Sequence, residues 1–279
     1  MGKKCGERMS ERFAELVRLM ARLRALDGCP WDRKQTHDSL KPYLIEETYE
    51  VLETIDKQDA GQLREELGDL LLQVLFHAQI ATEAGTFTID DVMQRLAEKL
   101  VHRHPHVFDK DKQEGGSLEP EEVVARWEEI KRKERKDNDQ PASPLDGVPK
   151  TLPALLRAFQ LQARASRVGF DWPHNREGVA QVQEKIEEEF RELREAWGAV
   201  AGEGQRRIES EFGDVLFAMV NLARTLKVNP EEALRKATNR FADRFRHIEA
   251  AAARSGRTLE TMSLAEMDSL WEEAKRKSA

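Results

Sequence analysis

The 279-residue chain contains only two cysteines, Cys5 and Cys29, too few and too isolated for a disulfide framework or a structural zinc site. Aromatic residues make up only 6% of it, and no strand-like alternation is sustained, which argues against a β-sandwich. No apolar run approaches the roughly 20 residues needed to span a bilayer, and the N-terminus lacks the apolar core of a signal peptide. We therefore predict a cytoplasmic protein with no membrane partner.

An excess of positive charge is also missing. Lys and Arg number 45 against 52 Asp and Glu, which gives a formal net charge of -7. A chain that binds a nucleic-acid backbone normally presents a basic surface, so a nucleic-acid polymer is not the predicted partner.

The sequence is internally duplicated. Four blocks of the first half recur in the same order in the second, so that Glu46 corresponds to Glu188, Asp69 to Asp214 and Trp127 to Trp271. The stretch between the halves is rich in Pro, Asp and small polar residues, which favour turns and extended chain. We predict an N-terminal domain over residues 1–136, a linker over 137–153 and a C-terminal domain over 154–279.

Apolar periodicity is helical nearly throughout. In the block that begins at Glu65, a stripe follows the i, i+3, i+4, i+7, i+8 pattern of a buried helix face, and it comprises Leu67, Leu70, Leu71, Val74 and Leu75. We predict that this stripe is core. The fold class is all-α, with two tandem repeated bundles of the four-helix type.

Acidic residues occur as two pairs with i, i+3 spacing in each half, so that each pair shares one helix face. The pairs are Glu47 and Glu50, Glu66 and Asp69, Glu189 and Glu192, and Glu211 and Asp214. If neighbouring helices form antiparallel hairpins, the two pairs of a half face each other. The turns then fall at residue 58 and between residues 201 and 202, both in turn-forming sequence.

Converging carboxylates cannot all remain ionised without compensation, because burying unpaired charge is prohibitive. All-oxygen ligation suits Mg²⁺, with Mn²⁺ as a possible substitute. Di-iron bundles use Glu-x-x-His pairs, which this chain lacks. A single acidic pair is more often a solvated helix face. The metal interpretation rests on two such pairs in each half, with the second pair beside an apolar stripe.

These residues resemble the all-α nucleoside triphosphate pyrophosphohydrolases, whose signature is Glu-Glu-x-x-Glu followed by Glu-x-x-Asp on an adjacent helix. The stretches at residues 28–40, 99–108 and 169–172 extend the resemblance to the full-length, two-domain MazG family. It implies Mg²⁺-dependent hydrolysis of nucleoside triphosphates to the monophosphate and pyrophosphate, a homodimer, and a role in maintaining nucleotide pools.

The resemblance also implies residue roles. Metal ligands would be Glu189, Glu192, Glu211 and Asp214, and in the first half Glu47, Glu50, Glu66 and Asp69. Substrate would be bound by Lys185, Arg207, Arg240, Arg244, Trp271 and Lys275. Glu188, or the ligand Glu192, would position the attacking water.

The two halves differ at two of these positions. Tyr43 and Gln62 stand where the second half has Lys185 and Arg207, so the first half lacks two cations for a charged triphosphate. We therefore predict that the second half is the main catalytic site. The alternative is a non-catalytic nucleotide sensor or helical adaptor, which would bind nucleotide without turnover.

Overall fold

The computed structural model describes residues 2–109, 119–136, 143–173, 175–198 and 204–277. All regular secondary structure in these ranges is helical, which confirms the all-α prediction. The chain divides into two compact units, Met1–Lys131 and Arg132–Ala279. Residues 137–142 of the predicted linker lie outside the described ranges.

The first unit is organised around one long central helix. In chain order its helices are α1 (Gly2–Arg24), α2 (Pro30–Lys34), α3 (Lys41–Lys57), α4 (Ala60–Glu83), α5 (Ile89–Arg103) and α6 (Pro105–Phe108). Helix α7 (Pro120–Lys136) begins in this unit and continues past its boundary at Lys131. Helix α4 packs against α1, α3 and α5, with α3 along it as an antiparallel hairpin partner.

The turn between α3 and α4 lies where the carboxylate spacing predicts it. Gln58 ends α3 in the left-handed conformation, with φ of 55°. Asp59 then caps α4, because its side chain accepts hydrogen bonds from the backbone N–H groups of Gly61 and Gln62. Together the two caps reverse the chain within two residues and fix the register of the hairpin.

The core of the first unit lies between α1, α4 and the start of α3. Met20, Leu40, Leu75 and Phe76 are at most 5% exposed and form one cluster. Burial of side chains of this size stabilises a fold by about 1.5–3 kcal/mol each. This cluster holds α4 in place, and α4 carries two of the four predicted metal ligands of the unit, Glu66 and Asp69.

The second unit repeats this hairpin. Its helices are α8 (Ala154–Ser166), α9 (Arg176–Gly198), α10 (Gly204–Thr225), α11 (Pro230–Arg254) and α12 (Leu264–Lys277), with a 3-10 turn at Leu259–Thr261. Helix α10 packs along α9 and α8, and α11 packs against α12 and α8. The predicted turn at residues 201 and 202 lies outside the described residues.

The loop before α9 is fixed by a buried ion pair. The Arg224 guanidinium of α10 donates to both carboxylate oxygens of Asp171, 2.8 Å from Oδ2, and also to Asn221 Oδ1 at 2.7 Å. The next residue, Trp172, packs against Val182 and Ile186 of α9. The ion pair therefore holds a tryptophan against the helix hairpin.

The prediction that the α4 stripe is core is wrong for three of its five members. Leu67, Leu71 and Val74 are 49%, 36% and 41% exposed, whereas Leu75 is buried. Helix α4 is apolar on more than one face, and its contacts with α1, α3 and α5 leave this one uncovered. Periodicity identifies an apolar face but not the surface that covers it.

None of the described helices is both long enough and apolar enough to cross a membrane.

Candidate metal and nucleotide site

In the first unit, acidic side chains from both members of the α3–α4 hairpin converge. One carboxylate oxygen each of Glu47, Glu66 and Asp69 lies within 4.8 Å of the others. Glu50 lies outside this group of three, but its negative charge helps to raise the pKa of Glu66. Three of the four carboxylates therefore converge as the two i, i+3 pairs predict for an antiparallel hairpin.

The first cluster is electrostatically strained. Partial burial, and then the charge of Asp69, raise the pKa of Glu47 above its ordinary value. Burial and then Glu50 do the same for Glu66. Among the described residues, no Lys or Arg forms an ion pair with any carboxylate of this cluster. A dication would relieve the repulsion.

A buried amide also faces this cluster. Gln73 is 5% exposed, and its Nε2 lies 3.4 Å from Glu47 Oε1. Its Oε1 is buried and has no hydrogen-bond partner. The amide thus orients one face of Glu47 while its own oxygen remains unsatisfied.

In the second unit, Glu189, Glu192 and Glu211 meet in the same way between α9 and α10, with oxygens within 4.8 Å of one another. Glu189 is 7% exposed. Burial, followed by the charges of Glu189 and Glu211, raises the pKa of Glu192. Asp214 follows Glu211 by one turn of α10, is exposed, and lies outside this group.

Cations compensate the second cluster. Lys185 Nζ lies 2.8 Å from Glu189 Oε1 and 3.1 Å from Glu188 Oε1, and these hydrogen bonds raise the lysine pKa above its ordinary value. Arg207 Nε lies 3.7 Å from Glu211 Oε1. Two of the residues predicted to bind phosphate therefore contact predicted metal ligands, and Glu188 also contacts Lys185.

A second group of predicted substrate residues gathers where α11 meets α12. The Arg244 guanidinium lies over the Trp271 ring, 5.6 Å from its centroid, and Arg244 Nε is buried without a hydrogen-bond partner. Arg240 lies one turn earlier on α11 and is exposed. Lys275 lies one turn after Trp271 and pairs with Glu272 at 2.6 Å.

Sequence reasoning did not identify Phe241. Its ring centroid is 5.2 Å from that of Trp271 at an interplanar angle of 55°, and the Phe245 ring stacks on it with a centroid distance of 6.2 Å. Phe241 is nevertheless 58% exposed. The sequence gives one signal for Phe241: it is an aromatic residue at a position of the repeat where the first half has Leu100.

The chemistry of the two acidic clusters suits a hard divalent cation. Carboxylate oxygens are the protein ligands that Mg²⁺ and Mn²⁺ prefer, and a Mg²⁺ site commonly retains positions for water and phosphate oxygens. Burial and, second to it, the charges of neighbouring carboxylates raise the pKa of Glu47, of Glu66 and of Glu192.

Comparison with known proteins agrees with this chemistry. The profile of the MazG nucleotide pyrophosphohydrolase domain matches the chain twice, over residues 35–108 and 179–249. Both matches include a helix hairpin with its acidic cluster.

Two relatives are similar over nearly their whole length. The nucleoside triphosphate pyrophosphohydrolase/pyrophosphatase MazG of Thermotoga maritima is 49% identical over 94% of this chain and 95% of its own. The nucleoside triphosphate pyrophosphohydrolase of Escherichia coli K12 is 45% identical over 94% of this chain and 96% of its own. With the profile matched twice and identity of this level, the chain belongs to the MazG nucleotide pyrophosphohydrolase family.

Proposed function

We propose that this enzyme hydrolyses nucleoside and deoxynucleoside triphosphates to the monophosphate and pyrophosphate in a Mg²⁺-dependent reaction, and that the second unit is the main catalytic site. The observation that carries the proposal is the convergence of Glu189, Glu192 and Glu211 beside Lys185 and Arg207. Acidic oxygens alone would repel a triphosphate, whereas this pairing offers metal ligands and phosphate-binding cations together.

Glu189, Glu192, Glu211 and Asp214 would hold Mg²⁺, or Mn²⁺ in its place. Such an ion, when bound, polarises phosphate oxygens and makes a nearby water more acidic. Asp214 is exposed one turn after Glu211, on the same helix face. In the first unit, Glu47, Glu50, Glu66 and Asp69 would form the corresponding site.

The remaining groups act on water and on phosphate. Glu188 or Glu192 would position the water for attack on the α-phosphorus and accept its proton, since Glu192 belongs to the cluster and Glu188 shares Lys185 with Glu189. Negative charge then develops on the departing pyrophosphate. Lys185 and Arg207 are close enough to stabilise that charge once they release their carboxylate partners.

The aromatic group of α11 and α12 would bind the base. Trp271 and Phe241 offer adjoining ring faces, and Arg244 lies beside them with an unsatisfied N–H group. Base stacking on aromatic side chains contributes about 1–3 kcal/mol and tolerates every base. Broad specificity follows, as expected for an enzyme that maintains cytoplasmic nucleotide pools.

A homodimer is part of the proposal. The exposed residues Phe212, Leu216 and Met219 of α10 correspond in sequence to Leu67, Leu71 and Val74 of α4, and they are 53%, 43% and 45% exposed. The same apolar stripe is therefore uncovered on the site hairpin of each unit. Exposed apolar patches of this kind mark interaction surfaces, and a second copy of the chain offers a matching one.

The direct test is product analysis in ¹⁸O-labelled water. We expect stoichiometric monophosphate and pyrophosphate, with the label on the monophosphate because the water attacks the α-phosphorus. A chelator should abolish the reaction and Mg²⁺ should restore it. Release of orthophosphate, label on pyrophosphate, or tight nucleotide binding without turnover would contradict the proposal, and the last result would favour a nucleotide sensor.

A further inference from the structure

The two acidic clusters share two carboxylate positions of the repeat, Glu47 with Glu189 and Glu66 with Glu211, but among the described residues only the second cluster is paired with a lysine. In the second unit, Lys185 precedes Glu189 by one helical turn, and its Nζ lies within 3.1 Å of both Glu188 and Glu189. In the first unit, Tyr43 precedes Glu47 by the same spacing, and its ring packs edge-on against Trp31, 5.8 Å between centroids. The duplicated chain thus contains an internal comparison of one site with and without a lysine.

The Lys185 ammonium lies where a dication bound at the second acidic cluster would repel it. Its ammonium contacts Glu189 Oε1, and Glu189 is one of the three side chains whose oxygens converge within 4.8 Å. A dication ligated by Glu189 and an ammonium bonded to the same carboxylate repel each other. The Lys185 side chain is 39% exposed, so it is free to swing toward solvent or toward a phosphate.

We propose that Lys185 is the built-in counter-ion of the metal-free second site: it must leave Glu189 before a dication binds there, and it is then available to the triphosphate. The inference rests on the proposed function and adds a coupling to it. Because the dication releases the lysine and the triphosphate accepts it, each of the two ligands strengthens the binding of the other.

The counter-ion role of Lys185 predicts the direction in which its removal changes the affinity of the second site for metal. Removing a lysine from a nucleotide site is expected to weaken nucleotide binding, but here it should tighten the binding of the metal alone. Loss of two partly exposed ion pairs, together with the removed repulsion, corresponds to an affinity gain of about three- to thirtyfold. A lysine that serves only the substrate would leave the metal affinity unchanged.

The test is Mn²⁺ titration by calorimetry on the full-length chain without nucleotide. The double substitution Glu47→Gln and Glu66→Gln removes metal binding by the first site. In that background, the Mn²⁺ affinity of the chain with Lys185→Met is compared with that of the chain that retains Lys185. We expect the Mn²⁺ dissociation constant to fall about three- to thirtyfold. Lys185→Gln should lower the Mn²⁺ dissociation constant in the same way as Lys185→Met. Lys236→Met is the matched control, since it removes another i, i+4 ion pair, with Glu232 at 3.0 Å, and should have no effect.

The reciprocal experiment introduces a lysine at the corresponding position of the first unit. With Glu189→Gln and Glu211→Gln silencing the second site, Tyr43→Lys should raise the dissociation constant of the first site for Mn²⁺. An α,β-methylene triphosphate analogue should increase Mn²⁺ affinity more in the chain with Lys185 than in Lys185→Met.

Two outcomes separate the inference from the proposed function. Unchanged or weaker Mn²⁺ binding in Lys185→Met, in a protein that releases pyrophosphate with Lys185 present, overturns the counter-ion role alone. Absence of Mn²⁺ binding at the second site, with no pyrophosphate released by the unaltered chain, overturns both.

Discussion

At the scale of single residues, the duplication allows the residues of the second site to be compared with those at the corresponding positions of the first half. Lys185 and Phe241 belong to the second unit, and the first unit has Tyr43 and Leu100 at the corresponding positions. The first of these differences removes a cation from the acidic cluster, and the second removes an aromatic face beside the tryptophan. The second unit therefore combines the proposed metal ligands, the proposed phosphate-binding cations and an aromatic surface.

Phe241→Leu, which introduces the residue of the first unit, should raise KM about three- to tenfold and leave kcat within about twofold. Part of the stacking contribution of about 1–3 kcal/mol is lost, while the carboxylates and cations remain. Steady-state kinetics on purine and pyrimidine triphosphates measure both constants. Phe170→Leu, at a phenylalanine that is 82% exposed in the loop before α9, serves as the control. A fall in kcat at constant KM would argue against a base-binding role.

The residues that could be predicted from the sequence are those that local spacing determines. The i, i+3 carboxylate pairs and the turn at Gln58 follow from helix geometry and turn chemistry, and the structure has both. Phe241 could not be found in this way, because its contact with Trp271 depends on how α11 packs against α12. The buried amide of Gln73 likewise becomes visible only when α3 lies along α4.

At the scale of elements, the loop before α9 contacts both helices of the second hairpin. Gly169 adopts φ of 89°, a conformation that glycine tolerates and other residues rarely adopt. Two residues later Asp171 bonds the buried Arg224, and Trp172 then packs against α9 one turn before Glu189. The loop thus holds the helix that carries Glu188, Glu189 and Glu192.

Asp171→Asn should lower the free energy of unfolding of the second unit by about 2 kcal/mol at pH 7. Burial raises the pKa of Asp171, but hydrogen bonds from Arg224 outweigh it and hold the pKa at about 2, below the ordinary 3.8. The ion pair therefore stabilises the fold above about pH 4, and this contribution is lost as the pH falls toward 2.

Urea unfolding of Asp171→Asn and the unaltered chain at pH 7 and pH 3 measures this dependence. The difference between them should shrink at the lower pH. Asp243→Asn is the control, because its pair with Arg246 is about 70% exposed on both sides and should contribute little. An equal difference at both pH values would show that Asp171 does not act through its charge.

At the scale of the whole molecule, two features recur in both halves of the chain. Each half has an acidic cluster inside a helix hairpin, and each leaves an apolar stripe of that hairpin exposed. The cluster could be predicted from charge spacing. The exposure of the stripe could not, because apolar periodicity is the same for a face covered within one unit and for a face covered by a second chain.

Leu216→Glu should dissociate the proposed homodimer. A buried, unpaired carboxylate at an interface is strongly unfavourable, whereas the same residue is tolerated at a position that is 43% exposed in the single chain. Light scattering after size exclusion should change from twice the chain mass to 32.0 kDa. Leu264→Glu, at a leucine that is 72% exposed outside the stripe, should leave the mass unchanged. A dimer that survives Leu216→Glu would place the interface elsewhere.

The central claim is that acidic side chains of the second hairpin hold the ion on which hydrolysis depends. The most direct measurement is pyrophosphate release by Glu189→Gln compared with Glu47→Gln, which change the same position of the repeat in each unit. We predict a loss of about a hundredfold or more in kcat for Glu189→Gln and a loss of at most a few fold for Glu47→Gln. Full turnover by Glu189→Gln, or its loss only in Glu47→Gln, would contradict the account.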